Sequence, residues 1–436
     1  MSRIDAMDQG IEATVGQTVR TAGIGAWLTR HAFWVGVGAI SATVMAFLAH
    51  QLMAWPPHED ETLALFVGRD SLPGVVEHVT RDRGGAPLHF LVAWAVAHLG
   101  FGLGALRLVS AALVVASLPL TALLGTRVAS RRSALAGTAL LAGSWILLFH
   151  GVYGRMYGLF LALSLLATLA LLSALERPGR LRWGLWVAAA LAMVATHPYG
   201  VLVLGGHGAY VLLARRDRLR GAAGAGLVVA VLGIPFWLTD LVLAERFEVG
   251  VGGGGAKLGG PGSVLSYLWR TAGDMSAGWW PVVAVALALA AIGLATEARE
   301  ARALALCLVA VPTLAFVLAR LGGATSPESR HLIFLAPLFA IGVGAGCVRL
   351  ARGRPLVAVA LVSALLVAEV AWAWERTPAL FTWEPDQRQA ARGEAESWLA
   401  RSGRPDDVLL GYDPLFLGAW ERQRDVSALV VPRADP

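Results

Sequence analysis

Charge is scarce in this chain: 15% of its 436 residues are Asp, Glu, Lys or Arg, where a soluble domain carries about 25%. Beside 56% hydrophobic residues, that shortage excludes a disordered chain, and a single soluble core this apolar would leave large greasy patches on its surface. Heptads are absent, which excludes a coiled coil. Only two cysteines are present, which excludes a disulfide scaffold, and both Cys307 and Cys347 sit in apolar runs where they read as small buried hydrophobes. Lysine is reduced to Lys257, so nearly all of the basic set behind the net charge of +6 is arginine. No basic stripe interleaves with aromatics on a polar segment, which removes nucleic acid as a partner. What remains is a bilayer-embedded bundle, where abundant apolar surface has a place to go.

A crossing helix needs about 20 apolar residues, fewer where the bundle is thin. Eleven segments qualify: 33–53, 106–126, 134–151, 157–175, 183–198, 200–214, 222–243, 279–296, 303–321, 332–348 and 355–373. The first is too long for a signal-peptide apolar stretch and reads as an uncleaved helix behind a polar segment, 1–32. The apolar run 87–100 is shorter and holds His89 and His98. Counting it as a crossing would put Arg127, Arg131 and Arg132 opposite the other arginine-rich loops. As a helix lying in the interface it leaves half of the 36 cations on short inner segments, with the N-terminus cytoplasmic and the C-terminus extracytoplasmic. The expected fold is an all-α polytopic membrane protein of eleven transmembrane helices (33–373), with an interface helix in the first outer loop and a small α/β extracytoplasmic tail.

Three outer segments are long, 54–105, 244–278 and 374–436, and sites are built on such segments rather than on short turns. The second contains the glycine-rich run Gly250–Gly262. It lacks the Lys-Ser/Thr ending of a phosphate-binding loop and no strand precedes it, so it reads as a flexible lid or linker. In the third, 386–400 has helical periodicity, and 407–411 and 426–431 read as short strands.

The first outer loop opens His58-Glu59-Asp60-Glu61, carboxylates at the membrane boundary where desolvation can tune a base; the same residues also suit a solvated helix N-terminus. Farther along lie Arg83 and His89. Guanidinium groups at the interface suit a phosphate gripped by paired hydrogen bonds, or anionic headgroups in general. Arg155 and Tyr157 stand at the outer end of two spans, His197 before a proline at the end of another, and Arg330 before the tenth. An arginine beside hydrocarbon needs a partner or an exit to water. No paired-cysteine or HExxH metal pattern occurs. Carboxylates can still hold a divalent cation through oxygen ligands, which is left open as a cofactor.

In order and spacing from about residue 30 to 350, Asp60-Glu61, Pro87-Leu88-His89, Ala105–Ser110, Gly154–Tyr157, Thr196-His197 and Ser329-Arg330-His331 with Pro337 resemble the GT-C class of membrane glycosyltransferases. The branch most resembled holds protein O-mannosyltransferases and the aminoarabinose transferases of lipid A. An interface helix in the first outer loop is also a feature of that class. The resemblance implies transfer of a hexosyl or pentosyl group from a polyprenyl-phosphate donor to an acceptor hydroxyl on the extracytoplasmic face. It implies Asp60 as the catalytic acidic residue, with Glu61 beside it, and Arg83, Arg155 and Arg330 as lipid-phosphate ligands, with His89, Tyr157 and His197 as further substrate contacts. At Ala86 some members carry a lysine, a charge that Arg83 can replace. The large extra domain of several members is missing, which leaves the acceptor class open.

A polyprenyl phosphate is already a good leaving group. The chemistry therefore needs a cation for the departing phosphate and a base for the acceptor hydroxyl, on opposite faces of the sugar, which predicts inversion. The competing expectation is a lipid or glycolipid transporter, but the spans are nearly free of charge and show no repeat. The arginine, alanine, glycine and leucine bias points to a bacterial plasma membrane.

Overall fold

The structure, a computed structural model, describes residues 31–54, 57–248, 258–321, 327–382, 387–404, 409–410 and 430–431. The first span is α1, His31–Gln51. The loop after it holds α2 (Glu59–Gly68), α3 (Leu72–Glu77), a π-helical turn (His78–Arg83) and α4 (Pro87–His98). Then follow α5 (Leu103–Val128), α6 (Arg131–Gly143), α7 (Trp145–Val152), α8 (Tyr157–Glu176), α9 (Arg180–Val194), α10 (Gly200–Ala214), α11 (Leu219–Leu232) and α12 (Ile234–Glu248). The chain continues with α13 (Pro261–Asp274), α14 (Trp280–Ala295), α15 (Arg299–Arg320), α16 (Ala336–Leu350), α17 (Pro355–Arg376) and α18 (Gln387–Ser402).

By length and composition, 6 helices among the described residues can cross a membrane, and 8 if two bent pairs each count as one span. The pairs are α6 with α7, bent by 56°, and the helix leading into α11 with α12, bent by 59°. The second bend has a plain cause in Gly233-Ile234-Pro235, where proline supplies no amide to the preceding turn. Each of the eleven expected segments falls on one of these helices or pairs, with α9, α10 and α14 being shorter than a full span.

Direct contacts sort the turns into two ends. Arg127 pairs with Glu176, Arg215 donates to the Leu175 carbonyl at 2.9 Å, Tyr210 interacts with both Arg215 and Glu300, and Glu297 feels Arg349. The arginine-rich turns therefore gather at one end of the bundle. At the other end Arg107, in the first turn of α5, donates to the Leu52 carbonyl just past α1 at 2.8 Å. The end of α1 and the start of α5 are thus neighbours, and α2 to α4 make no net crossing between them.

Small residues let the spans approach closely. A Cβ at Gly344 of α16 would lie 2.5 Å from the Gly137 amide nitrogen of α6, a contact only glycine permits. The wide turn before α4 has a similar need. Gly84 is at φ +67° and a Cβ there would meet the Leu243 nitrogen at 2.3 Å, while the Gly85 amide donates to Thr239 at 2.9 Å. This glycine pair docks the first outer loop on α12 and aims α4, whose Pro87 occupies its first turn.

Two expectations change in detail. The segment 244–278, expected to be a flexible lid, holds the end of α12 and all of α13, while 249–257 lies outside the described residues, as does the N-terminal 1–30. In the tail, α18 is joined by strands β1 (Leu409–Leu410) and β2 (Val430–Val431), which pair in parallel; nearly everything else after Arg404 is outside the described residues.

Candidate active site

The acidic run starts a helix. His58 is the N-cap of α2: its Nδ1 accepts the Asp60 amide, and Glu61 Oε2 accepts the His58 amide at 3.0 Å. Successive residues on a helix diverge by about 100°, so the neighbouring carboxylates of Asp60 and Glu61 serve different surroundings.

Glu61 turns inward and is fully buried. Arg107 grips it with Nε to Oε1 at 2.8 Å and Nη2 to Oε2 at 2.7 Å, and the Gly154 amide donates to Oε1 at 2.6 Å. The four hydrogen bonds, two from Arg107 on α5, one from the 153–155 turn and one from the His58 cap, occupy its oxygens. Glu61 therefore locks three pieces of backbone together.

Asp60 lies at the end of the bundle away from the arginine-rich turns. The Tyr153 hydroxyl donates to Oδ2 at 2.9 Å and lies 3.1 Å from His58 Nδ1. Arg155 Nη1 stands 3.6 Å from Oδ1 and also donates to the Asp60 carbonyl at 3.1 Å, and Arg330 Nη1 is 3.9 Å from Oδ2. Burial raises the carboxyl's pKa, but Arg155, Arg330, His58 and the Tyr153 hydrogen bond outweigh it and hold it at about 2. Burial and Asp60 push the Tyr153 hydroxyl well up, which keeps it a donor.

Arg330 is positioned by three groups. It rides over the Tyr157 ring at 5.3 Å, its Nη2 donates to Glu328 at 2.8 Å, and its short 3-10 helix, Ser329–Leu335, leads into α16. Nε of both Arg155 and Arg330 is buried with no protein partner. The two guanidinium groups thus hold donors in reserve beside the carboxylate they share.

His89 and His197 close the inner side. Burial, then Arg155, lowers His89 to about 3, so its imidazole is neutral, and its buried Nε2 has no protein partner. His197 stacks on Phe160 with ring centroids 4.9 Å apart, lies 5.6 Å from Tyr157, and accepts the Tyr199 amide at Nδ1. The structure thus brings Asp60, His89, Arg155, Tyr157, His197 and Arg330 into one neighbourhood. Arg83 is buried at the end of the π-helical turn, which packs on α12. Among the described residues no three His, Cys, Asp or Glu side chains converge as a metal site would need.

Beside this cluster opens a cavity of about 280 Å³. His58, Tyr153 and Arg330 form one wall; Trp145, His150, Arg270, Asp274 and Arg376 are among the rest. No protein-family profile matches the chain, and no curated protein matches it by sequence. Its three-dimensional arrangement does have counterparts. ArnT from Cupriavidus metallidurans in the apo state superposes with a TM-score of 0.63 at 15% identity, covering 92% of this chain and 89% of that one. The same enzyme bound to undecaprenyl phosphate gives 0.60, at 15% identity over 92% and 90%. The Archaeoglobus fulgidus oligosaccharyltransferase gives 0.58 at 12% identity, covering 94% of this chain and 65% of that chain. The chain has the GT-C fold. At these identities the likeness shows the arrangement of the helices, and it agrees with the order of motifs in the sequence.

Within the GT-C frame, the sequence singles out Arg107 only as a member of the motif Ala105–Ser110 and gives no role to His150, Arg270, Asp274 or Arg376. Asp274 and Arg376 lie 102 positions apart and meet through Nε to Oδ1 at 3.2 Å. The signal available was a lone charge at each outer border of an apolar segment, with nothing to say that the two meet.

Proposed function

We propose that this chain is a membrane glycosyltransferase that moves a sugar from a polyprenyl-phosphate donor to an acceptor hydroxyl on the extracytoplasmic face, with inversion. The observation that carries the reading is Asp60 held between Arg155, Arg330 and Tyr153 at the end of the bundle away from the arginine-rich turns, in a fold shared with an enzyme solved with undecaprenyl phosphate bound. All eleven helical segments are taken to cross, the N-terminus lying in the cytoplasm of a bacterial cell and the tail outside.

The donor phosphate takes the guanidinium groups of Arg155 and Arg330, whose buried Nε atoms await an acceptor, and Arg83 meets the lipid phosphate from the α12 side. The added negative charge draws both arginines from Asp60. A carboxylate at about 2 is a poor base; relieved of its cations beside a bound phosphate, it becomes a better one. Asp60 then takes the proton of the acceptor hydroxyl as its oxygen bonds the anomeric carbon. The bond from that carbon to the phosphate oxygen breaks, and its electron pair leaves with the phosphate. Neutral His89 and His197 offer hydrogen bonds to the sugar. Glu61 acts by positioning α2 and the 153–155 turn, and Tyr157 by carrying Arg330.

The test is sugar transfer or lipid-sugar hydrolysis by the purified chain with a panel of radiolabelled polyprenyl-phosphate hexoses and pentoses, mannose included. Asp60→Asn is expected to lower turnover by about 10²–10⁴-fold at unchanged thermal stability, and Arg155→Ala to weaken donor use. A wild-type chain that releases no sugar while moving lipid across liposomes would overturn the reading in favour of transport. Product with retained anomeric configuration would overturn inversion.

A further inference from the structure

The part of the cavity lining beyond His58, Tyr153 and Arg330 has a use that donor chemistry does not supply. Asp274, at the end of α13, is buried and accepts Ser329 Oγ at 2.6 Å and Arg376 Nε at 3.2 Å. Arg376, half-exposed at the end of α17, lies over the Trp145 ring at 4.7 Å, and Phe149 stacks on the same ring with centroids 4.9 Å apart. Trp145 therefore serves as a seat for Arg376 rather than as a bare platform for a sugar face. Arg270 adds a second guanidinium to the same wall and is exposed. His150, 1% exposed, lines the cavity between Trp145 and Tyr157 with neither ring nitrogen bonded to protein.

A structural role for Asp274 needs one arginine. The cavity lining holds three guanidinium groups against two carboxylates, Asp274 and the Glu328 that pairs with Arg330, which leaves Arg270 and Arg376 against Asp274, and it adds a buried imidazole with one donor and one acceptor unspent. We propose that His150, Arg270, Asp274 and Arg376 form the acceptor subsite, and that the acceptor is a hydroxylated molecule carrying an anionic group such as a phosphate or carboxylate. The anion sits between Arg270 and Arg376, and His150 and Asp274 bond hydroxyl groups. The cavity then leads the reacting hydroxyl to the Tyr153 and Arg330 wall, one contact from Asp60. This assignment rests on the glycosyltransferase reading for the word acceptor, and its binding chemistry is testable without it.

The experiment is calorimetric titration of the full chain in detergent with glucuronate, glucose 6-phosphate and uncharged methyl glucoside, each with and without undecaprenyl phosphate. The anionic sugars are expected to bind about tenfold or more tightly than methyl glucoside. Arg270→Gln and Arg376→Gln are each expected to erase that difference, and His150→Phe to weaken all three probes. Arg270 is exposed, so its variant reads the wall even if Arg376→Gln unfolds. Undecaprenyl phosphate should not displace the sugars, and Arg155→Gln should weaken the lipid alone. Equal binding of charged and uncharged probes, no binding of any probe, indifference to Arg270→Gln, or displacement by the lipid would overturn the proposal. Failure of wild type to bind undecaprenyl phosphate would instead strike the donor reading, leaving the sugar titrations to judge the wall.

Discussion

Two adjacent carboxylates divide the work at the head of α2. Glu61 and Arg107 are both fully buried and pair bidentately, so removing one partner leaves a charge without compensation in a dry interior. Arg107→Ala is therefore expected to cost about 3–5 kcal/mol, seen as a large fall in the thermal midpoint in detergent. Replacing both residues with leucine should recover part of it, because the pair's desolvation cost disappears with the pair. Asp60 is a different case, with a folded pKa of about 2 against an ordinary 3.8. A lowered carboxyl stabilises the fold above 3.8 and loses that contribution as pH falls toward 2. In turnover the same residue should show two acid limbs. The profile of kcat/KM reports the free protein, and that of kcat the complex in which phosphate has drawn away Arg155 and Arg330. The kcat limb is expected at the higher pH; coincident limbs would contradict the charge competition between phosphate and Asp60.

Among the elements, the turn Arg83-Gly84-Gly85-Ala86 does what neither neighbouring helix can. It runs left-handed from Gly84 through Ala86, bonds α12 through Gly85, and launches α4 so that His89 points at the Asp60 cluster. Gly84→Val combines an unfavourable φ with a Cβ 2.3 Å from α12 backbone, so the loop must lift. The expected result is loss of donor use with a modest fall in thermal midpoint, measured by donor titration beside a melt. The helix α4, and the lack of a net crossing between α1 and α5, were legible in the sequence, because a short apolar run with two histidines conflicted with the arginine count. The bend between α6 and α7 was not, since 134–151 reads as one continuous apolar run; the break at Gly143-Ser144 shows only once α7 packs under Tyr153.

Over the whole molecule, the arginine turns and the acidic cluster occupy opposite ends, which makes orientation a single testable quantity. With the arginines inside, Gly259→Cys before α13 is expected to react with a membrane-impermeant maleimide on intact cells, and Asp217→Cys between α10 and α11 only after lysis. Cys307 and Cys347 are buried and leave the readout clean. The reverse pattern would place the Asp60 site in the cytoplasm and remove the extracytoplasmic acceptor.

The sequence by itself determined the membrane class and the alternation of apolar segments with arginine-rich turns, and it marked Asp60, Arg155 and Arg330 as candidates for a task. Each follows from a local cost: hydrocarbon rejects charge, and a charge kept beside it has a reason. Tertiary structure alone decided which charge meets which. Glu61 finds Arg107 46 positions away, Asp60 finds Arg155 across 95, and Asp274 finds Ser329 across 55. Those pairings come from helices folded back on one another, and periodicity along one helix carries no record of its neighbour. The packing therefore turned one of two like carboxylates into a lock and left the other among Arg155, Arg330 and Tyr153, beside the cavity.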